Sequence, residues 1–141
     1  MEKAIKVLYI RSSFENIREL KADPRISISH KVHTLEAFKY LQNSSVPDVI
    51  LCEAGSSGTD GLEFHSLLRK AVQYNRVAFI LLAYEYKEEM FKNSFHARVD
   101  DFYVFPLPEP DKLISRMEFL MEFRKKETVD THMIEKKHME Y

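Results

Sequence analysis

The chain has no tryptophan, a single cysteine and only three glycines among its 141 residues. A lone thiol closes no internal disulfide, so the fold must be held by its own core, and a reducing, cytoplasmic setting is expected. Cys52 lies inside an apolar run and reads as a buried core thiol. All three glycines fall in one stretch, Glu53-Ala-Gly-Ser-Ser-Gly-Thr-Asp-Gly61. That stretch lacks the lysine followed by serine or threonine of a phosphate-cradling loop, so it reads as a turn. Charge of one sign is not in excess either: 21 lysines and arginines face 22 aspartates and glutamates. No broad electrostatic footprint for nucleic acid or an anionic membrane follows from this balance. The longest apolar stretch, 77–84, is far short of the roughly 20 residues that span a bilayer. The opening Met1-Glu-Lys-Ala-Ile-Lys runs directly into a strand-like segment, without an extended signal core. Metal-ligand clusters are missing as well. His30 and His33 lie in or beside a strand, His132 and His138 lie in a charged tail, and none joins a cysteine or carboxylate at ligand spacing. Ser66 has no glycine-flanked elbow and Tyr84-Glu85-Tyr86 has no catalytic partner. Neither a metal, nor a cofactor, nor an enzymatic activity is expected.

What is present is enough apolar residue, 45% with 12% aromatics, to build one core of ordinary domain size. Five short apolar or β-branched runs, 5–10, 26–32, 49–52, 77–82 and 102–105, have the length of strands. Helical spacing fills the gaps between them. Ile17 and Leu20 mark a first helix over 14–20, and Thr34 is placed to cap a second with Leu35, Phe38 and Leu41 on one face. Asp60 precedes an amphipathic segment with Leu62, Phe64, Leu67 and Leu68, and another helix over 87–97 surrounds Met90, Phe91 and Phe95. Pro106, Pro108 and Pro110 delay the last helix to Asp111, from which it runs through Leu113, Ile114, Met117, Leu120 and Met121. Strand alternating with helix predicts parallel strands joined by right-handed crossovers, a doubly wound α/β sheet covered on both faces. Val49-Ile-Leu-Cys52 and Phe79-Ile-Leu-Leu82, apolar at successive positions, suit its interior. Such sheets bind beyond the carboxyl ends of their strands, which directs attention to Arg11, Ser12, Glu53, Leu82, Ala83 and Phe105.

Three segments, in their order and spacing, resemble the receiver domain of two-component response regulators over about residues 5–124. They are Val7-Leu-Tyr-Ile-Arg-Ser-Ser-Phe-Glu-Asn-Ile-Arg-Glu-Leu20, Pro47-Asp-Val-Ile-Leu-Cys-Glu53 with Asp60-Gly61 behind it, and Asp100-Asp-Phe-Tyr-Val-Phe-Pro106 before Asp111-Lys-Leu. The resemblance implies a flavodoxin-like five-stranded parallel sheet of order 2-1-3-4-5. It also implies a site in which an aspartate accepts a phosphoryl group with Mg²⁺ held by that aspartate and an acidic pair. A hydroxyl residue and a lysine then stabilise the product. By position the acidic pair falls on Arg11 and Ser12, the acceptor on Glu53, the hydroxyl residue on Leu82 and the lysine on Phe105. All five depart from the pattern, so the resemblance is to a degenerate receiver, a pseudo-receiver.

Mg²⁺ takes near-octahedral oxygen ligation, and Arg11 offers a cation in place of a ligand. Leu82 donates no hydrogen bond to a phosphate and Phe105 forms no ion pair with one, so the electrostatic stabilisation that phosphoryl transfer depends on is lost. Arg11 and Glu53, on neighbouring strand ends, are expected to form an internal ion pair that closes the site. A glutamate as a phosphate mimic needs a hydroxyl at position 82 to respond, and Leu82 has none. Partner surfaces hold more signal. Phe119 with Phe123 and Phe91 with Phe95 are i, i+4 pairs, and Phe102 occupies the position of the family's switch aromatic. In that family the last two helices and the fifth strand serve for dimerisation or effector docking, so a protein partner, a downstream domain or a homodimer is expected there. Residues 1–124 form the receiver-like unit and the polar 125–141 a helical extension or linker. The expected function is phosphorylation-independent signalling through protein contacts. The alternatives are a receiver accepting phosphate on Glu53 and a regulatory or scaffold domain attached to an enzyme.

Overall fold

Every residue of β3 (Val49–Glu53) and of β4 (Ala78–Ala83) is buried, because each strand has helices on both sides. A computed structural model describes the backbone of residues 3–11, 17–55 and 60–139, and side chains through residue 126. Around the two buried strands lie β1 (Ile5–Ile10), α1 (Arg18–Lys21), β2 (Ile26–Lys31), α2 (Thr34–Asn43), α3 (Asp60–Arg69), α4 (Glu88–Ala97), β5 (Asp101–Val104) and α5 (Pro110–Met139). A 3-10 turn at Val72–Tyr74 joins α3 to β4. The strands form one parallel sheet of order β2-β1-β3-β4-β5, as expected.

The period-2 alternation of the strands sorts the core into two layers. Val7, Tyr9, Val49, Leu51, Ala78, Ile80 and Leu82 pack with Ile17 and Leu20 near α1 and with Leu113, Ile114, Met117 and Leu120 of α5. Leu8, Ile10, Ile50, Cys52, Phe79 and Leu81 face the other way, onto Ala37 and Leu41 of α2 and Phe64 and Leu68 of α3. A strand read as a continuous apolar run therefore serves two separate cores.

Local expectations are adjusted in three places. Thr34 is the first helical residue of α2, with His33 in extended backbone at the cap and no side-chain capping bond. Leu35 turns outward, 66% exposed, so the inward stripe of α2 runs through Ala37, Phe38 and Leu41. Helix α5 begins at Pro110, one residue earlier than Asp111. The first intrahelical bond runs from the Leu113 N–H to the Glu109 carbonyl at 3.0 Å, so the missing proline N–H is one that has no partner anyway. Residues 14–16 of the expected first helix lie outside the described residues. Among the described residues no helix is long and apolar enough to cross a membrane.

Candidate functional site

Strand register brings the expected site residues to one end of the sheet. Ile10 pairs with Cys52, which places Arg11 beside Glu53 on the next step, and Glu53 itself pairs with Leu82. Ala83 pairs with Val104, so Phe105 follows at the end of the next strand. Arg11, Glu53 and Leu82 line a cleft of about 450 Å³ together with Val32, Lys87 and Met90. Phe105 does not reach that cleft; its ring packs on Tyr84 at 4.8 Å between centroids. Ser12 lies outside the described residues.

The Glu53 carboxylate is buried, 4% exposed, and accepts a hydrogen bond from the Tyr9 hydroxyl. This contact follows from the pleat. Tyr9 pairs with Leu51, and Glu53 lies two residues beyond Leu51 on the same face, a diagonal distance that a tyrosine can span. The expected Arg11–Glu53 ion pair is not what forms: Arg11 Nη2 bridges to Asp60 Oδ2 at the start of α3. Arg11 has φ +94, so the chain leaves the strand path there and its side chain departs from the register that would have held it against Glu53. The His30 ring donates from Nε2 to the Arg11 carbonyl, fixing that bend from β2. Gly55, at φ +92, gives the Asp60 carboxylate its room, since a Cβ there would lie 3.0 Å from Asp60 Oδ2. Gly61 is needed for a different reason: a Cβ on it would meet Leu81 Cδ1 at 2.7 Å and the Glu53 carbonyl at 3.1 Å, forcing α3 off the sheet.

These residues do not fit the divalent cation that the resemblance implies. The Arg11 guanidinium stands where an oxygen ligand is required, and the Glu53 carboxylate already takes the Tyr9 hydroxyl. No cluster of three or more histidine, cysteine, aspartate or glutamate side chains able to hold a metal occurs among the described residues. Leu82 is fully buried and apolar. Nor is Cys52 a nucleophile, because burial pushes its thiol up to about 12, with the Arg11 charge opposing and those of Glu53 and Asp60 adding.

The face formed by α4, β5 and α5 leaves much of its aromatic surface in water. Phe91, Phe95, Phe119 and Phe123 are 44%, 73%, 58% and 48% exposed, so these four do not complete the core. Phe102 is half-buried, with Phe91 edge-on to it at 6.0 Å. Beneath this face a polar network joins five segments. Asp100 accepts from the Phe79 N–H at 2.7 Å and from Arg69 at 3.0 Å, while Arg69 also donates to the Tyr74 and Val77 carbonyls, each at 2.8 Å. Arg124 of α5 lies 3.7 Å from Asp100 and donates to the Asn75 carbonyl. His65 is buried beside this network and edge-on to Phe79, and its Nε2 has no hydrogen-bond partner among the described residues. Burial pushes its imidazole down to about 4, and the charges of Arg69 and Arg124 act in the same direction. Tyr9, His65 and this network were not identified from sequence. Tyr9 alone gave a usable signal, because a phenol inside an aliphatic strand must find a partner for its hydroxyl.

No family model matches the chain, and no curated sequence matches it. Solved structures do. A crystal structure of the signal receiver domain of an HD domain-containing protein from Pseudomonas fluorescens Pf-5 superposes with TM-score 0.73 at 14% identity, covering 91% of this chain and 94% of that one. The signal receiver domain of a signal transduction histidine kinase from Syntrophus aciditrophicus gives 0.70 at 20%, covering 84% and 91%. A two-component response regulator from Clostridium difficile gives 0.67 at 22%, covering 83% and 95%. At these identities the likeness establishes the shared receiver fold.

Proposed function

We propose that this chain is a receiver-like signalling module, a pseudo-receiver, that acts through protein contacts and without accepting a phosphoryl group. One observation carries the proposal: at the strand ends where the fold family places its phosphorylation chemistry, Glu53 is held by Tyr9 and Arg11 by Asp60. Among the described residues, the guanidinium beside the acceptor position is engaged by Asp60 of α3. The solved structures of this fold are named as receiver domains of response regulators and of a histidine kinase, which supports a role in signalling of that type. In this reading residues 1–124 are the receiver unit, and α5 leads into the extension 125–141, which connects to a downstream domain or a separate partner. The exposed aromatic face, rather than the strand-end cleft, is the working surface, and the ligand is a protein rather than nucleic acid.

Calorimetric titration with Mg²⁺ tests the chemistry directly. No saturable binding is expected at millimolar Mg²⁺, because a dication must displace either Tyr9 from Glu53 or Arg11 from Asp60. Saturation in that range, lost in Glu53→Gln, would contradict the proposal.

A further inference from the structure

The strand-end cleft does not suit a dication, yet at about 450 Å³ it has the size of a small-molecule site. It also lies beyond the carboxyl ends of the strands, where open α/β sheets take their ligands. Its lining is apolar at the base: Leu82 and Ala83 are buried there, with Val32 and Met90 beside them. Part of its charge is already engaged, since Arg11 bridges to Asp60 through Nη2 and Glu53 accepts from Tyr9. Three polar groups are not. Glu85 and Lys87, both exposed, line the cleft two residues apart, and neither forms an ion pair with the other or with any other described residue. Lys87 has extended backbone, φ −132 and ψ 126, and in extended chain side chains two apart point to one side. The third group is Arg11 Nε, buried with no acceptor among the described residues. A buried donor left unpaired is costly, and an incoming acceptor removes that cost.

We propose that this cleft binds a free α-amino acid with a bulky apolar side chain. Its carboxylate is taken by the Lys87 ammonium and the Arg11 Nε–H, its ammonium by the Glu85 carboxylate, and its side chain by Leu82, Met90 and Val32. The charges select a zwitterion. With His33 neutral, Arg11 and Lys87 balance Glu53 and Glu85 in the lining, so a ligand of net negative charge meets two carboxylates and one of net positive charge meets two cations. Inorganic phosphate would leave the apolar base unused. The inference goes beyond the protein-contact reading and does not depend on it: the aromatic face remains the surface for proteins, and the cleft is assigned to a small molecule.

The test is an amide-resolved NMR titration of the full chain with L-phenylalanine and with L-leucine. Saturable shifts are expected at the amides of Ala54, Ala83 and Lys87 below about 10 mM ligand, a range in which a millimolar site fills. Hydrocinnamate lacks the ammonium of phenylalanine and phenethylamine lacks its carboxylate. Each is expected to bind about tenfold or more weaker, the scale of one charge-assisted hydrogen bond. L-Aspartate, without an apolar side chain, is expected to give no saturable shift. Lys87→Gln is expected to weaken L-phenylalanine about fivefold or more while leaving phenethylamine unchanged, and Glu85→Gln to weaken it equally while leaving hydrocinnamate unchanged. Both positions are exposed, so these losses are not losses of fold. Absence of saturable shifts with both amino acids overturns the proposal. So does hydrocinnamate, phenethylamine or L-aspartate binding as tightly as L-phenylalanine, or unchanged affinity in both variants. The protein-contact reading stands or falls separately, on Mg²⁺ binding.

Discussion

Tyr9 is the residue on which the altered site turns. A carboxylate at 4% exposure needs donors, and the Tyr9 hydroxyl supplies one from the same face of the sheet. Tyr9→Phe removes that donor without changing the ring's packing, and urea denaturation is expected to show a loss of about 1–2 kcal/mol. The companion change Glu53→Gln is expected to be milder, because an amide oxygen still accepts the phenol. His65 makes a different prediction. Its imidazole is held neutral by burial, down to about 4 from the ordinary 6.5. The unfolded chain therefore binds a proton that the folded chain refuses in that interval. Stability from this group is complete above about pH 6.5 and falls as pH drops towards about 4, by on the order of 1–3 kcal/mol. In His65→Leu that part of the pH dependence is expected to vanish, read as the difference between the two unfolding free energies across the interval. At this scale the sequence was only partly legible. It placed Arg11 and Glu53 on neighbouring strand ends, but which groups they bind depends on the left-handed turn at Arg11 and on a tyrosine two positions away on the adjacent strand.

At the scale of elements, strands and helices were legible because apolar periodicity and burial agree. The runs at 5–10 and 49–52 became β1 (Ile5–Ile10) and β3 (Val49–Glu53), and the proline-delimited start of α5 was placed within one residue. What periodicity could not show is how the ends of α3 and α5 are fastened, since the polar groups involved are far apart in sequence. Asp100 sits between Arg69 and Arg124 with its side chain 5% exposed, and it also receives the Phe79 N–H at the start of β4. Asp100→Asn keeps the shape and removes the charge that both arginines face, and chemical denaturation is expected to register a loss of about 3 kcal/mol. By contrast, Arg25 and Asp111 meet at 2.6 Å with side chains 49% and 85% exposed, and Asp111→Asn is expected to change stability by less than about 1 kcal/mol. The comparison separates a pair that fastens helices from one that decorates the surface.

Across the whole molecule, the receiver fold rests largely on residues other than those at the strand ends. The sheet order, the two-layer core and the close approach of α3 at Gly61 keep the strand ends where a receiver has them. The side chains delivered there are Arg11, Glu53 and Leu82, and two of these are engaged by Asp60 and Tyr9. The fold was legible because Asp60, Gly61 and Pro106 match the framework of the pattern that the sequence resembles. In the proposed reading, the exposed aromatic face, not the strand-end cleft, is the working surface. The central claim, that this framework no longer accepts phosphate, is tested most directly by intact mass of the full chain after incubation with acetyl phosphate and Mg²⁺. The mass is predicted to be unchanged. A stable increase of one phosphoryl group, mapping to Glu53, would contradict the account.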